Sequence, residues 1–271
     1  MPASLRALLG AGRRALLHTL LPASCALCGG GSDEALCPAC HAQFFSADVA
    51  RCRLCANPLP AAGDAAAVAD GAATGPRAAG MAGAPASEHG PLCGHCLAQR
   101  PAFDATLVAA DYAVPLDRLV LQLKFGGRIA LAALFARCLR DALLRRPGFV
   151  LPDLLCPVPL GPRRLSERGY NQALEIARPL ARSLGVTLHP RLAQRVHDTT
   201  AQSRVTPDQR RQNIARAFAV SDGALVEGRH IGIVDDVMTS GQTLNELAAT
   251  FKRYGAARVT NLVFARTPPH S

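Results

Sequence analysis

The stretch His230–Thr243 reads H-I-G-I-V-D-D-V-M-T-S-G-Q-T, and its reading decides the fold. An apolar run of strand character, Arg229 to Asp235, delivers two adjacent aspartates, Asp235 and Asp236, at its carboxyl end. A short turn with Thr239, Ser240 and Gly241 then opens a helix, which reads from Leu244 to Tyr254 and closes at Gly255. Backbone N–H groups at a helix start form an anion nest, and the helix dipole reinforces it. Gly241 lets an oxyanion approach the backbone closely, and the hydroxyls of Thr239, Ser240 and Thr243 add donors. The combination suits one terminal phosphate, with the carboxylates reaching sugar hydroxyls beside it. It is not a Walker loop, since no G-x-x-x-x-G-K-[S/T] is present. The alternative is an Asp-capped Thr/Ser turn without a ligand. The preceding apolar strand and the doubled acid argue against it.

Upstream, the chain alternates strand and helix. Strands are expected over Phe103–Tyr112 and Leu151–Val158, and a last one over Val259–Phe264. Helices are expected over Leu116–Phe125, Ile129–Leu144 and Asn171–Leu184, the first two divided by Gly126 and Gly127 and the third stopped by Gly185. Such alternation predicts an α/β fold, a parallel sheet with helices on both faces and ligands at the carboxyl ends of its strands. Lys124 reads as a helix-end residue facing the last carbonyls, with reach to the site as the alternative.

The first hundred residues have another texture. Eight of the ten cysteines form Cys-x-x-Cys pairs: Cys25/Cys28, Cys37/Cys40, Cys52/Cys55 and Cys93/Cys96. Each pair presents two thiolates to one tetrahedral ion, so four pairs imply two Zn²⁺ sites. All-sulfur ligation makes both sites closed and structural. The sequential pairing joins Cys25/Cys28 to Cys37/Cys40 and Cys52/Cys55 to Cys93/Cys96, and the spacing admits an interleaved pairing as well. Cys138 and Cys156 stand alone in apolar stretches and read as core thiols. The expected organisation is an amphipathic helix over 1–24, a double zinc ribbon over 25–100 and an α/β domain over 101–271. An Ala/Gly-rich insertion near 61–88 has almost no large side chains to bury and reads as disordered.

Composition sets outer bounds. With 271 residues and 49% hydrophobic, the chain has material for a core. The net charge is +10, and of 30 basic residues only Lys124 and Lys252 are lysines. That charge fits attraction to phosphates, and it equally fits the arginine bias of a GC-rich genome. No run approaches the length of a membrane-spanning segment. Arg13, Arg14 and His18 interrupt the leucine-rich start, so it reads as a packing helix rather than a signal peptide. Reduced thiolates then point to the cytoplasm.

The motif V-D-D-V-M-T-S-G-Q-T resembles the phosphoribosyl pyrophosphate (PRPP) motif of type I phosphoribosyltransferases. Together with the four cysteine knuckles, L-K-F-G-G-R (Leu123–Arg128), P-V-P-L (Pro157–Leu160) and R-R-L-S-E-R-G-Y-N-Q-A (Arg163–Ala173), it resembles the ComF family of competence and GntX-type proteins. The resemblance implies a type I phosphoribosyltransferase-like domain behind a double zinc ribbon. It implies that Asp235 and Asp236 bind the ribose hydroxyls and help orient Mg²⁺. Thr239, Ser240, Gly241, Gln242 and Thr243 would hold the 5′-phosphate. Val158, Pro159 and Leu160, with Arg163 and Arg164, would form the pyrophosphate loop, and Arg168 and Asn171 lead into the next helix. Arg195 to Asn213 would form a mobile catalytic loop, with Arg195, Gln202 and Arg211 as catalytic residues and Thr200 and Asn213 also matching the family pattern; a solvated arginine-rich helix is the alternative there. Thr239 stands where hypoxanthine-guanine transferases carry an acid that serves the purine, which argues against that substrate class.

Two function classes follow. One is a PRPP-dependent transferase with an unnamed nitrogenous acceptor. The other is a nucleic-acid-associated competence factor that PRPP regulates, with single-stranded DNA and DNA-uptake proteins as partners. Aromatic residues make up only 4% of the chain, which leaves little for a base-stacking platform.

Overall fold

A computed structural model describes residues 24–45, 49–60, 90–196 and 217–268. The amphipathic start, the insertion over 61–88 and most of the expected mobile loop, with Thr200, Gln202, Arg211 and Asn213, lie outside the described residues. The chain divides into two compact units, one up to Ala47 and one from Asp48 onward. The division runs through the cysteine-rich region, with one cysteine cluster in each unit.

In the first unit, Cys25–Cys28 is a tight turn in which Gly29 N–H donates to Cys25 O (2.9 Å) and Cys25 N–H to Gly30 O (2.8 Å). Gly29 has φ +74°, a conformation that glycine adopts without penalty. Helix α1 (Pro38–Phe45) starts on a proline, whose missing N–H is unneeded at that position.

In the second unit, a short helix α2 (Gly94–Ala98) follows Cys93. The order is then β1 (Ala105–Asp111), α3 (Leu116–Phe125), α4 (Leu131–Leu144), β2 (Leu154–Pro157), α5 (Pro162–Arg168), α6 (Gln172–Leu184) and β3 (Thr187–Leu188). The chain continues through β4 (Ala193–Arg195), β5 (Phe218–Val220), β6 (His230–Met238), α7 (Gln242–Arg253) and β7 (Arg258–Arg266). The described residues form a five-stranded parallel sheet in the order β1-β7-β6-β2-β3, and β4 pairs with β5 as an antiparallel ribbon. The expected α/β sheet is therefore present, with α3 at its expected bounds. Three short pieces, α5, β3 and the β4–β5 ribbon, had no readable periodicity.

Strand alternation explains why helices cover both faces. On β7, Phe264 turns to one face and stacks on Phe135 of α4, with ring centroids 3.6 Å apart. Its neighbour Val263 turns to the other face and joins Leu244, Leu247 and Phe251 of α7. Gly232 on β6 is required by contact, because a Cβ there would come within 2.5 Å of Leu155 Cδ2. Cys138 and Cys156 are buried, as expected of core thiols, and burial pushes both thiols up to about 12.

His230 opens β6 and is buried, its Nε2 2.8 Å from Thr260 Oγ1. Burial, with Arg258 nearby, holds its pKa down to about 4. Above its ordinary pKa of about 6.5 the imidazole is neutral in both states and its contribution is full. As the pH falls below that value, the unfolded chain takes up a proton that the folded chain refuses. Stability is then lost progressively down to about pH 4, by about 3 kcal/mol in all. Urea denaturation at about pH 7 and about pH 4.5 should show a smaller acid loss for His230→Gln than for the parent protein. Equal losses would refute this.

Candidate active site

The site lies at the carboxyl edge of the sheet, where β6, β2 and β7 end side by side. Strand β6 carries Asp235 and Asp236 in its second half, followed by Val237 and Met238. The chain then exposes Thr239 and Ser240, passes through Gly241 at φ +77° and enters α7. Gly241 is the N-cap, and Gln242 N–H donates to Ser240 Oγ at 3.4 Å. A Cβ at Gly241 would meet Met238 Cε at 2.4 Å, so both conformation and space demand glycine there. No acidic residue sits in the first turn of α7, which leaves its dipole free to face an anion.

Asp236 is buried, and Lys124 Nζ from the end of α3 lies 3.2 Å from its Oδ2, an ion pair not aligned as a hydrogen bond. Lys124 thus reaches the site, against the favoured reading as a helix-end residue. Tyr170 O–H donates to Leu123 O and so fixes the end of α3. Asp235 Oδ1 accepts from Asp236 N–H at 2.9 Å. Burial, then the Asp236 carboxylate beside it, push Asp235 up to about 8, and Lys124 opposes the shift. Two carboxylates this close, one held by a cation, bind a proton, a hydroxyl or a hard cation at their shared face. The donor set fits a Mg²⁺-bearing ligand.

At the end of β2, Val158 N–H donates to Val234 O (2.9 Å), continuing the ladder beside the aspartates. Pro159 and Leu160 follow, half-buried. Asn171 spends its side chain on the backbone: Nδ2 donates to Val158 O (3.0 Å), while Oδ1 accepts from Ala173 N–H and Leu174 N–H as the N-cap of α6. It shapes the loop from beneath. Helix α5 splits the predicted arginines. Arg164 and Arg168, four residues apart, line a cleft of about 750 Å³ with Lys124, Glu167 and Tyr170, and Arg168 also stacks over Phe125 at 5.0 Å. Arg163 is exposed and bonds Glu167 at 2.8 Å. Arg195 ends β4 with its guanidinium 5.6 Å from the centre of the Phe218 ring.

Sequence reasoning missed Arg266. It ends β7 in register with Met238, directly after the apolar run Leu262–Ala265, and a charge closing such a run was the available signal. It is buried, and its guanidinium donates to the carbonyls of Cys55, Met238, Thr239 and Thr267.

The eight knuckle cysteines form two clusters, Cys25/Cys28/Cys37/Cys40 and Cys52/Cys55/Cys93/Cys96, with the sulfurs of each within 4.8 Å of one another. The sequential pairing is therefore the one adopted. Cys28 and Cys37 sulfurs are 3.8 Å apart, and those of Cys55 and Cys93 3.6 Å. A tetrahedron with zinc–sulfur bonds of about 2.3 Å has edges of about 3.8 Å. Burial raises the thiols, yet backbone N–H groups bring Cys25 to about 6 and Cys52 to about 7. Burial and neighbouring sulfurs drive Cys40 up to about 12 and Cys96 higher still. Four thiolates therefore coexist only around a cation, and these donor sets support structural zinc.

Residues 171–270 match the phosphoribosyl transferase domain family, and residues 16–70 match the double zinc ribbon domain. The fold, the loop after β6 and the cysteine clusters define a phosphoribosyltransferase-like protein with a double zinc ribbon. DNA utilization protein YhgH of Salmonella typhimurium is 38% identical over 188 residues, covering 68% of this chain and 82% of that protein. Competence protein F of Haemophilus influenzae is 35% identical over 173 residues, 62% of this chain and 75% of that one. The chain belongs to the ComF family, as these relatives and both domain matches show. A solved adenine phosphoribosyltransferase from Thermoanaerobacter pseudethanolicus aligns with 51% of this chain and 82% of its own, at 16% identity and a TM-score of 0.32, too loosely to bear on substrate. Among the described residues no helix is long and apolar enough to cross a membrane.

Proposed function

We propose that this protein binds PRPP with Mg²⁺ at the carboxyl edge of its sheet and transfers or senses the phosphoribosyl group in the cytoplasm, in the service of DNA uptake. The observation that carries the reading is the junction of three parts. A glycine-capped anion loop follows β6, the Asp235/Asp236 pair is held by Lys124, and a cationic cleft with Arg164 and Arg168 adjoins them. The loop 239–243 would hold the 5′-phosphate through its N–H groups and hydroxyls. Asp235 and Asp236 would accept the ribose hydroxyls. Bound Mg²⁺ would supply positive charge to the pyrophosphate oxygens. Arg164, Arg168 and Lys124 would stabilise negative charge as pyrophosphate departs. Arg195, Gln202 and Arg211 would belong to the segment that closes over the ligand and excludes water. Arg163, bonded to Glu167 on the surface, would contribute only by turning.

The reading is tested by calorimetry with Mg-PRPP on zinc-loaded protein. Binding should be measurable, with no appreciable transfer to hypoxanthine, guanine or xanthine, because Thr239 occupies the purine-directed position. Bulky replacements at both Thr239 and Thr243 should abolish binding, since the nest needs close backbone approach. Absence of PRPP binding by folded, zinc-loaded protein would reject the site, and robust purine transfer would reject the assignment of Thr239. The names of the relatives, DNA utilization and competence, favour a second reading, in which PRPP regulates a nucleic-acid-associated factor. Titration with single-stranded DNA over a salt series separates the two, because phosphate contacts give a steep salt slope.

A further inference from the structure

We infer that Arg266 is a positioning residue through which the metal state of the Cys52/Cys55/Cys93/Cys96 cluster sets the order of the anion loop. The guanidinium spans the two. Its Nε donates to Cys55 O at 3.0 Å, and its Nη1 donates to Met238 O at 3.0 Å, to Thr239 O and to Thr267 O at 2.6 Å. Met238 and Thr239 are where β6 turns into the loop, so holding their carbonyls fixes the angle at which the loop leaves the sheet. The knuckle and the loop also face each other directly: Cys55, Cys96, Met238, Ser240, Gly241 and Gln242 line one cavity of about 290 Å³.

Charge explains why the tie depends on metal. Arg266 is only 6% exposed; four neutral carbonyls accept from it, and among the described residues the only anionic partners beside it are the sulfurs of Cys55, Cys93 and Cys96. A buried cation without a counter-charge is strongly disfavoured. Four thiolates around one divalent ion carry a formal charge of roughly −2, and they lie beside the guanidinium. The loaded cluster is therefore the counter-charge that keeps Arg266 in place. When metal leaves, the knuckle loses the ion that fixes its turn, so Cys55 O and the sulfurs beside Arg266 no longer hold the guanidinium, and water becomes the better partner for it. The carbonyls of Met238 and Thr239 then lose their tether. The mechanism is independent of which anion the loop binds, so it stands apart from the PRPP reading.

Hydrogen exchange of the full chain, without ligand, tests the inference. In zinc-loaded Arg266→Met, amides of 239–243 should exchange about tenfold faster than in the parent, while those of α4 and α6 on the other face hold. Chelation should speed the same amides in the parent and add little in Arg266→Met, because both act through one tether. Arg266→Lys, which keeps the charge but not the fork, should give an intermediate rise, and it carries the test should the methionine variant not fold. A second measurement uses cobalt in place of zinc: inorganic phosphate should shift the cobalt–thiolate absorption of the parent and not of Arg266→Met, since coupling between sites is reciprocal. Additive effects of chelation and substitution, or unchanged loop exchange in Arg266→Met, would overturn the inference. A silent cobalt spectrum with the exchange effects intact would reject phosphate binding instead.

Discussion

Serine at both Cys52 and Cys55 is expected to lower the melting temperature of the unit from Asp48 onward by on the order of 10 °C or more, whereas serine at both Cys37 and Cys40 should leave its melting and its ligand binding close to those of the parent. The second cluster is built into the core of that unit. Cys52, Leu54, Cys55 and Cys96 are buried in one hydrophobic cluster with Ile231, Phe251 and Val259. Arg53 donates its N–H to Pro91 O (2.9 Å), and its own carbonyl accepts from Thr106 N–H at the edge of β1. Arg51 forks onto Asp111 with bonds of 2.8 and 3.1 Å. Structural zinc is worth about 10–16 kcal/mol in small metal-dependent domains, and whole domains are stable by only about 5–15 kcal/mol. Removing half the ligand set therefore removes a large share of the stability, while the sheet and its helices should keep the unit folded. Cys37 and Cys40 belong to the other compact unit, and no such argument applies to them. Circular dichroism with metal analysis decides the matter. The Cys37/Cys40 variant should retain native ellipticity and one zinc, and a Cys52/Cys55 variant that melts as high as the parent would refute the prediction.

Asparagine at both Asp235 and Asp236 should weaken Mg-PRPP binding by on the order of a hundredfold or more, since two charged acceptors are lost from one ligand. Asp235→Asn alone separates ligand binding from stability. It should also weaken binding, by roughly tenfold, yet raise the melting temperature by about a few degrees near pH 8. The sign follows from the raised pKa. Burial and the neighbouring Asp236 hold Asp235 at about 8, against about 3.9 in the unfolded chain. Between those values the unfolded chain releases a proton that the folded chain keeps, so stability falls as the pH rises. The amide removes that penalty, and its advantage is greatest above pH 8 and absent below about pH 4. The Lys124–Asp236 pair survives in this variant. Calorimetric melting across pH, beside PRPP titrations, reads both effects. A lower melting temperature at pH 8 would show that the carboxylate is structural rather than held under strain for a ligand.

Much of this was legible in the sequence because it is local. The strand–turn–helix of 230–254, the bounds of α3 at Leu116–Phe125 and the stop of α6 at Gly185 follow from periodicity and from glycine conformation. The four Cys-x-x-Cys turns declared zinc from their spacing alone, since two sulfurs on one turn reach one ion. What the sequence left open involves residues far apart in the chain. Lys124 and Asp236 meet across more than a hundred residues, and only the packing of α3 over the ends of the strands turns a helix-end lysine into a site residue. The register of β7 on β6 sets Arg266 beside Met238, and the fold brings Cys55 to it. The short helix α5 decides that Arg164 and Arg168 line the cleft while Arg163 stays outside its lining, paired with Glu167, and seven residues carry too little periodicity to show it. Spacing names the ligands of a metal or a phosphate. Which counter-charge holds them in place is decided in three dimensions, because a buried charge takes its partner from whatever part of the chain the core brings beside it.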